Sequence, residues 1–171
     1  SLRVARADGL PLDGALTITS AAAVVDRFRV IAPGERPAPD RAGTIEGTAA
    51  RVREKIERTA GRLVSTVDEI GDEIGIRIAN KRIAVTPIAH VGAGFNPDGF
   101  VAIAHALDLA AQHVGIDFLG GFSADVAAGM TNGDLNLIAA IPEALTNTQK
   151  VCGSVNVGST RSGINMDAVV L

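Results

Sequence analysis

A chain of 171 residues is long enough to bury one full hydrophobic core, and 47% hydrophobic with 20% charged residues is ordinary globular composition. A formal charge of -3 gives no reason to expect nucleic acid or an anionic membrane as partner, and no apolar run approaches the ~20 residues that span a bilayer. A single cysteine, Cys152, excludes an internal disulfide framework and fits a reducing compartment, so a cytoplasmic location is expected.

The charge is unevenly placed. Fourteen of the sixteen Lys and Arg lie at or before Arg82 and none falls between Ile83 and Gln149, so the acidic residues of that middle region would make one side acidic. Two differently charged solvated surfaces explain this without a ligand.

Taken in order, residues 1–43 read as an irregular terminus with two short strands, Leu16 to Thr19 and Arg27 to Ile31, followed by a loop carrying Pro33, Pro37 and Pro39. From Ile45 the apolar residues recur at three and four: Val52, Ile56, Ala60, Leu63, Val67, Ile70 and Ile74 share a stripe. Thr44 is placed to cap this helical stretch and Gly75 to end it, with Gly61 the point of division if there are two helices. Asp68, Glu69, Asp72 and Glu73 cluster near its end, where a solvated charge cluster is a simpler reading than a metal site because no histidine or calcium loop accompanies them.

The segment from Ile76 reads as a strand whose apolar residues change parity, Ile76 and Ile78 against Ile83 and Val85, so Asn80 and Lys81 are expected in a turn or bulge. Arg82 and Ala84 then share the face opposite Ile83. Gly92, Gly94 and Gly99 follow, but not at dinucleotide-fingerprint spacing. Asn96, Pro97 and Gly115 bracket a helix, on which His105 and His113 fall off the apolar stripe, near Asp108 and Gln112, as surface residues. His90 lies near a strand end, yet no second ligand is spaced for a metal. Gly115 to Ser123 reads as a third strand with Ile116, Phe118 and Phe122 opposite Leu119 and Ser123, and Gly120 with Gly121 implies close approach of a backbone or ligand. A helix from Asn132 to Ala140 is expected next, with a second short one opened by Pro142.

The most distinctive stretch is Lys150 to Asp167. As a strand it places Val151, Gly153, Val155 and Val157 on one face and Cys152, Ser154 and Asn156 on the other, which is polar but uncharged. Such a face suits a barrel interior or ligand cleft better than an open solvated sheet. Ser159, Thr160, Arg161 and Ser162 follow in a loop, and Asn165 starts a helix that the chain leaves at Leu171, so a longer protein is expected. Strands alternating with helices make the class α/β.

Four blocks, NKRIAVTPIA (80–89), VGIDFLGGFSA (114–124), IPEAL (141–145) and VCGSVNVGSTRSGINMDAV (151–169), carry a resemblance. In this order they resemble the amino-terminal part of the PFL family proteins, domain-of-unknown-function family 711. The resemblance implies that residues 44–171 are the amino-terminal half of a ten-stranded α/β barrel like that of pyruvate formate-lyase and ribonucleotide reductase. In radical enzymes of that fold a loop cysteine inside the barrel takes a hydrogen atom from substrate, a role open to Cys152 by type, while the segment that would hold the radical glycine is not in this sequence.

Two functions follow as expectations. In the first the protein is an enzyme acting on a small polar or anionic metabolite, with Cys152 as nucleophile or hydrogen-atom carrier. Lys81, Arg82, Asn156, Ser159, Thr160, Arg161 and Asn165 would bind substrate, the cations pairing with a carboxylate or phosphate. In the second the same pocket binds or senses a metabolite without turnover, since no histidine stands at a recognisable spacing from Cys152. A buried, inert cysteine and a vestigial cleft in an assembly component are the plainer alternatives. No cofactor is specified and no metal is expected. The expected partners are the carboxyl-terminal remainder or identical subunits, because half a barrel leaves sheet edges and a core face open.

Overall fold

The computed structural model describes residues 16–19 and 44–171. The expected strand at 27–31 and the proline loop lie outside the described residues.

Thr44 caps the first helix by accepting the Gly47 amide at 3.1 Å. Helix α1 (Ile45–Ala60) stops at Gly61, where a side chain would press on the Glu57 carbonyl, and α2 (Leu63–Ile74) ends at Gly75 in the left-handed conformation with φ 68°. The continuous stripe is therefore two helices divided at Gly61. The remaining elements are β1 (Leu16–Thr19), β2 (Ile78–Ala84), α3 (Ile88–Val91), α4 (Pro97–Val114), β3 (Phe118–Asp125), α5 (Asn132–Thr146), β4 (Val151–Asn156), the two-residue strands β5 (Gly158–Ser159) and β6 (Gly163–Ile164), and α6 (Met166–Val169).

Strands β1 to β4 form one parallel sheet in sequence order, β1-β2-β3-β4, while β5 and β6 pair with each other antiparallel. Helices α2, α3, α4 and α5 pack on the sheet and α1 packs on α4. Ile83, Leu119, Phe122 and Ala124 point into these helices and are at most 2% exposed, meeting Phe100, Ile103 and Leu107 of α4 and Leu137 of α5. At about 1.5–3 kcal/mol per fully buried apolar side chain, this single layer is where the fold is held. The other face of the sheet presents Arg82, Asp125, Cys152, Ser154 and Asn156 to solvent.

Three sequence expectations change in the structure. The irregularity of β2 falls one residue early: Leu16 pairs with Ile78 and Thr17 with Asn80, skipping Ala79, so Asn80 and Lys81 sit within an unbroken strand. In β3 the faces are reversed before Gly121, with Leu119 fully buried and Phe118 37% exposed. Gly121 adopts φ 111° beside the Val85 carbonyl, with no space for a Cβ, and shifts the register between Gly120 and Phe122 so that Leu119 and Phe122 share the buried face. Pro142 lies inside α5 rather than opening another helix; Thr146 donates to the Pro142 carbonyl at 2.6 Å. On α4, Asp108 is buried although His105 and His113 beside it are exposed.

Candidate functional site

Strand β4 lies beside β3 with Cys152 opposite Gly120, Ser154 opposite Ser123 and Asn156 opposite Asp125. Burial alternates residue by residue along β4: Val151, Gly153 and Val155 are half-buried while Cys152, Ser154 and Asn156 are exposed, the division expected from the pattern of side chains. Asn156 donates from Nδ2 to Asp125 Oδ1 at 3.1 Å, and the Asn156 carbonyl accepts the Val126 amide at 2.9 Å. This joins the carboxyl ends of β3 and β4.

Beyond β4 the chain turns through β5 and β6. Ser159 Oγ and Ser162 Oγ are 2.6 Å apart, the Ser162 amide donates to Ser159 Oγ at 3.0 Å, and Gly163 takes φ 75°, which closes the turn and leaves Thr160 and Arg161 exposed at its tip. Asn165 is spent on structure: its Nδ2 donates to the Val126 carbonyl at 2.8 Å and its Oδ1 accepts the Ala168 amide at 3.3 Å. Between the 127–130 turn on one side and Ser162, Ile164, Asn165 and Asp167 on the other lies an open recess of about 520 Å³. It sits beyond the carboxyl ends of two parallel strands, where such sheets place ligands. The 127–130 turn and Asp167 are lining residues that sequence reasoning missed; the rule that loops after parallel strands bind ligands was the signal available for the first.

The predicted residues do not form one cluster. Arg82 shares the open face and stacks on the Phe118 ring, its guanidinium carbon 4.8 Å from the centroid. Lys81 points the other way and pairs with Asp68 of α2, Nζ to Oδ1 2.7 Å, so it is parted from Arg82 by the sheet itself. Cys152 lies four residues before Asn156, about 13 Å from it along the strand, and two strands from Arg82, about 10 Å across the sheet. Asn156, Ser162 and Asn165 therefore gather at the strand ends, whereas Cys152 and Arg82 stand further back on the same open face. His90 is exposed on α3, and His105 and His113 are exposed on α4. Among the described residues no three His, Cys, Asp or Glu side chains converge as a metal site. The electrostatic perturbations lie on α1: the hydrogen bond from Arg53 holds the Glu57 carboxyl below its usual range, and burial, then the neighbouring Arg58, lowers the Lys55 ammonium.

This strand arrangement and its motifs have relatives. The profile of the DUF711 family, described as Uncharacterised ACR, matches residues 28–171. The chain belongs to this family. A UPF0210 protein of Desulfovibrio desulfuricans is 58% identical over 127 residues, covering 74% of this chain and 28% of the relative. One of Streptococcus equi subsp. equi is 54% identical over 125 residues, 73% of this chain and 28% of its own, and one of Methanocorpusculum labreanum is 57% identical over 123 residues, 71% and 27%. This DUF711 chain thus spans little more than a quarter of the curated relatives it matches. Among its described residues no helix is long and apolar enough to cross a membrane.

Proposed function

We propose that the open face of the sheet lines an internal ligand site, and that the DUF711 protein is a cytoplasmic enzyme acting on a small polar or anionic metabolite held there, with Cys152 as nucleophile or hydrogen-atom carrier. The observation that carries this reading is the one-sidedness of the sheet. Parallel sheets are ordinarily covered on both faces, and a sheet wound in sequence order with its helices on one side is the arrangement of barrels, whose other face points inward. Here that face carries Cys152, Ser154 and Asn156, small groups with hydrogen-bonding or nucleophilic capacity. The reading extends to a half-barrel of the pyruvate formate-lyase type, completed by the carboxyl-terminal remainder or by identical subunits. Radical chemistry would follow by fold analogy alone.

Within this site Arg82, held flat on Phe118, would meet a carboxylate or phosphate, and Asn156 with the hairpin carrying Ser159, Thr160 and Arg161 would hold its polar end. Lys81 and Asn165 serve the frame instead, given their bonds to Asp68 and Val126.

The second reading, a metabolite-binding protein without turnover, is favoured by the positions of His90, His105 and His113 on helices, away from Cys152. The two are separated in full-length protein by alkylating Cys152 across pH with and without candidate metabolites, and by Cys152→Ser. The enzyme reading expects metabolite protection of the thiol and, in the serine variant, retained binding with complete loss of turnover. Unchanged turnover in the variant removes Cys152 as catalyst, and a thiol that reacts only on unfolding removes the site.

A further inference from the structure

We infer that Asp108 is a positioning residue for the β4 face: it sets the register in which β4 joins the sheet, and so decides that Cys152, Ser154 and Asn156 face the open side. The inference rests on reading that face as the ligand site. Among the described strands β4 has one neighbour, β3, and the pairing between them is irregular between Gly120 and Phe122. Its inward residues, Val151, Gly153 and Val155, are only half-buried, so packing discriminates weakly between registers. A slip of one residue would exchange the two faces and turn Cys152 inward.

The entry to β4 is held more firmly than the strand. Asp108, 7% exposed on α4, accepts the Gln149 amide at 3.0 Å and the Lys150 amide at 2.7 Å on the same oxygen, Oδ1. Its Oδ2 accepts Gln112 Nε2 at 2.6 Å. The next bond along is the first of the β3–β4 ladder, from the Leu119 amide to the Lys150 carbonyl at 2.8 Å. Lys150 Nζ reaches the Ile116 carbonyl, and Thr148 Oγ1 donates to the Ala144 carbonyl of α5 at 2.9 Å. One carboxylate oxygen receiving two successive amides permits one phase of the chain: moving either amide away would leave a buried charge short of donors. The helix face of Asp108 thereby fixes a strand 41 and 42 residues later in sequence.

The test uses full-length protein carrying single cysteines at 152, or at 155 through Val155→Cys in a Cys152→Ser background. Each is combined with Asp108→Ala, Asp108→Asn or Asp108→Glu, and alkylated under native conditions with exchange of the α4 amides monitored. With Asp108 intact, position 152 should react at least about tenfold faster than 155, and Asp108→Ala should bring the two within about threefold while α4 stays protected. Asp108→Asn should restore the contrast, because its Oδ1 still accepts both amides and Gln112 can turn its own carbonyl toward the new amide. An unchanged contrast in Asp108→Ala, or an asparagine variant as impaired as alanine, overturns the inference. Should the alanine variant not fold, Asp108→Glu displaces the acceptor and carries the same test: loss of contrast supports the assignment and its retention overturns it. Metabolite protection of Cys152 is read separately, so its absence defeats the site and not the register.

Discussion

The two faces of the parallel sheet are built from the same strands and obey opposite rules. On the helix side Ile83, Leu119, Phe122 and Ala124 are dry and packed; on the other, Arg82, Asp125, Cys152, Ser154 and Asn156 are wet and small or polar. The difference teaches that stability rests on one side, while the other is the side proposed for chemistry. Removing atoms from the first leaves a cavity, whereas changing the second alters what the surface can bind. Phe122→Ala should therefore cost about 3–5 kcal/mol in denaturant unfolding, while Ser154→Ala, on the neighbouring strand but exposed on the open face, should stay within about 0.5 kcal/mol. Comparable losses from both would erase the contrast.

Gly121 lies where the two faces exchange parity, so it sharpens the comparison next. Gly121→Ala demands φ 111° of a residue with a Cβ aimed at the Val85 carbonyl, and about 1–3 kcal/mol of strain is expected, accompanied by increased exposure of Leu119 or Phe122. Urea unfolding with hydrogen exchange of β3 measures both. A neutral effect would mean that the bulge does not assign the faces.

The smallest expected effect lies away from the sheet, on α1. Glu57 has its folded-state pKa lowered first by the Arg53 hydrogen bond, against a smaller opposing effect of burial, with further help from the charges of Arg53 and His113. Its contribution is therefore fully present above the ordinary carboxylate value of about 4.3 and is lost as pH falls through the lowered value. Arg53→Ala should show a slight stability deficit at neutral pH that closes on acidification below about pH 4. The exposed setting keeps this deficit small, and a gap that widens in acid would reverse the assignment.

Much of the architecture was readable because it depends on near neighbours. The cap at Thr44, the stop at Gly75, the Asn96–Pro97 start and the Gly115 finish each act within about one helical turn, and all stand where the pattern places them. The alternation of Val151 to Asn156 was equally legible, since period two needs no partner. The candidate site was readable only in part. Lys81 and Arg82 look alike as adjacent cations, but successive residues of a strand point to opposite sides, and the extra residue at Ala79 decides which of them meets Asp68. The lining at 127–130 carried no chemical signature; it matters because the chain folds it beside Asn165.

By itself, then, the sequence determined most of the elements, the ends of those bounded by caps and glycine stops, and the α/β class, because caps, stops and hydrophobic periods are interactions within a few residues. Tertiary structure decided which side of β2 and β3 is wet, which cation reaches the open face and why a helix aspartate holds the entry to β4. Those outcomes depend on bonds between residues 36 to 42 positions apart, such as Asp117 to the Lys81 amide and Asp108 to the Lys150 amide, and no local pattern encodes which distant amide a carboxylate will meet.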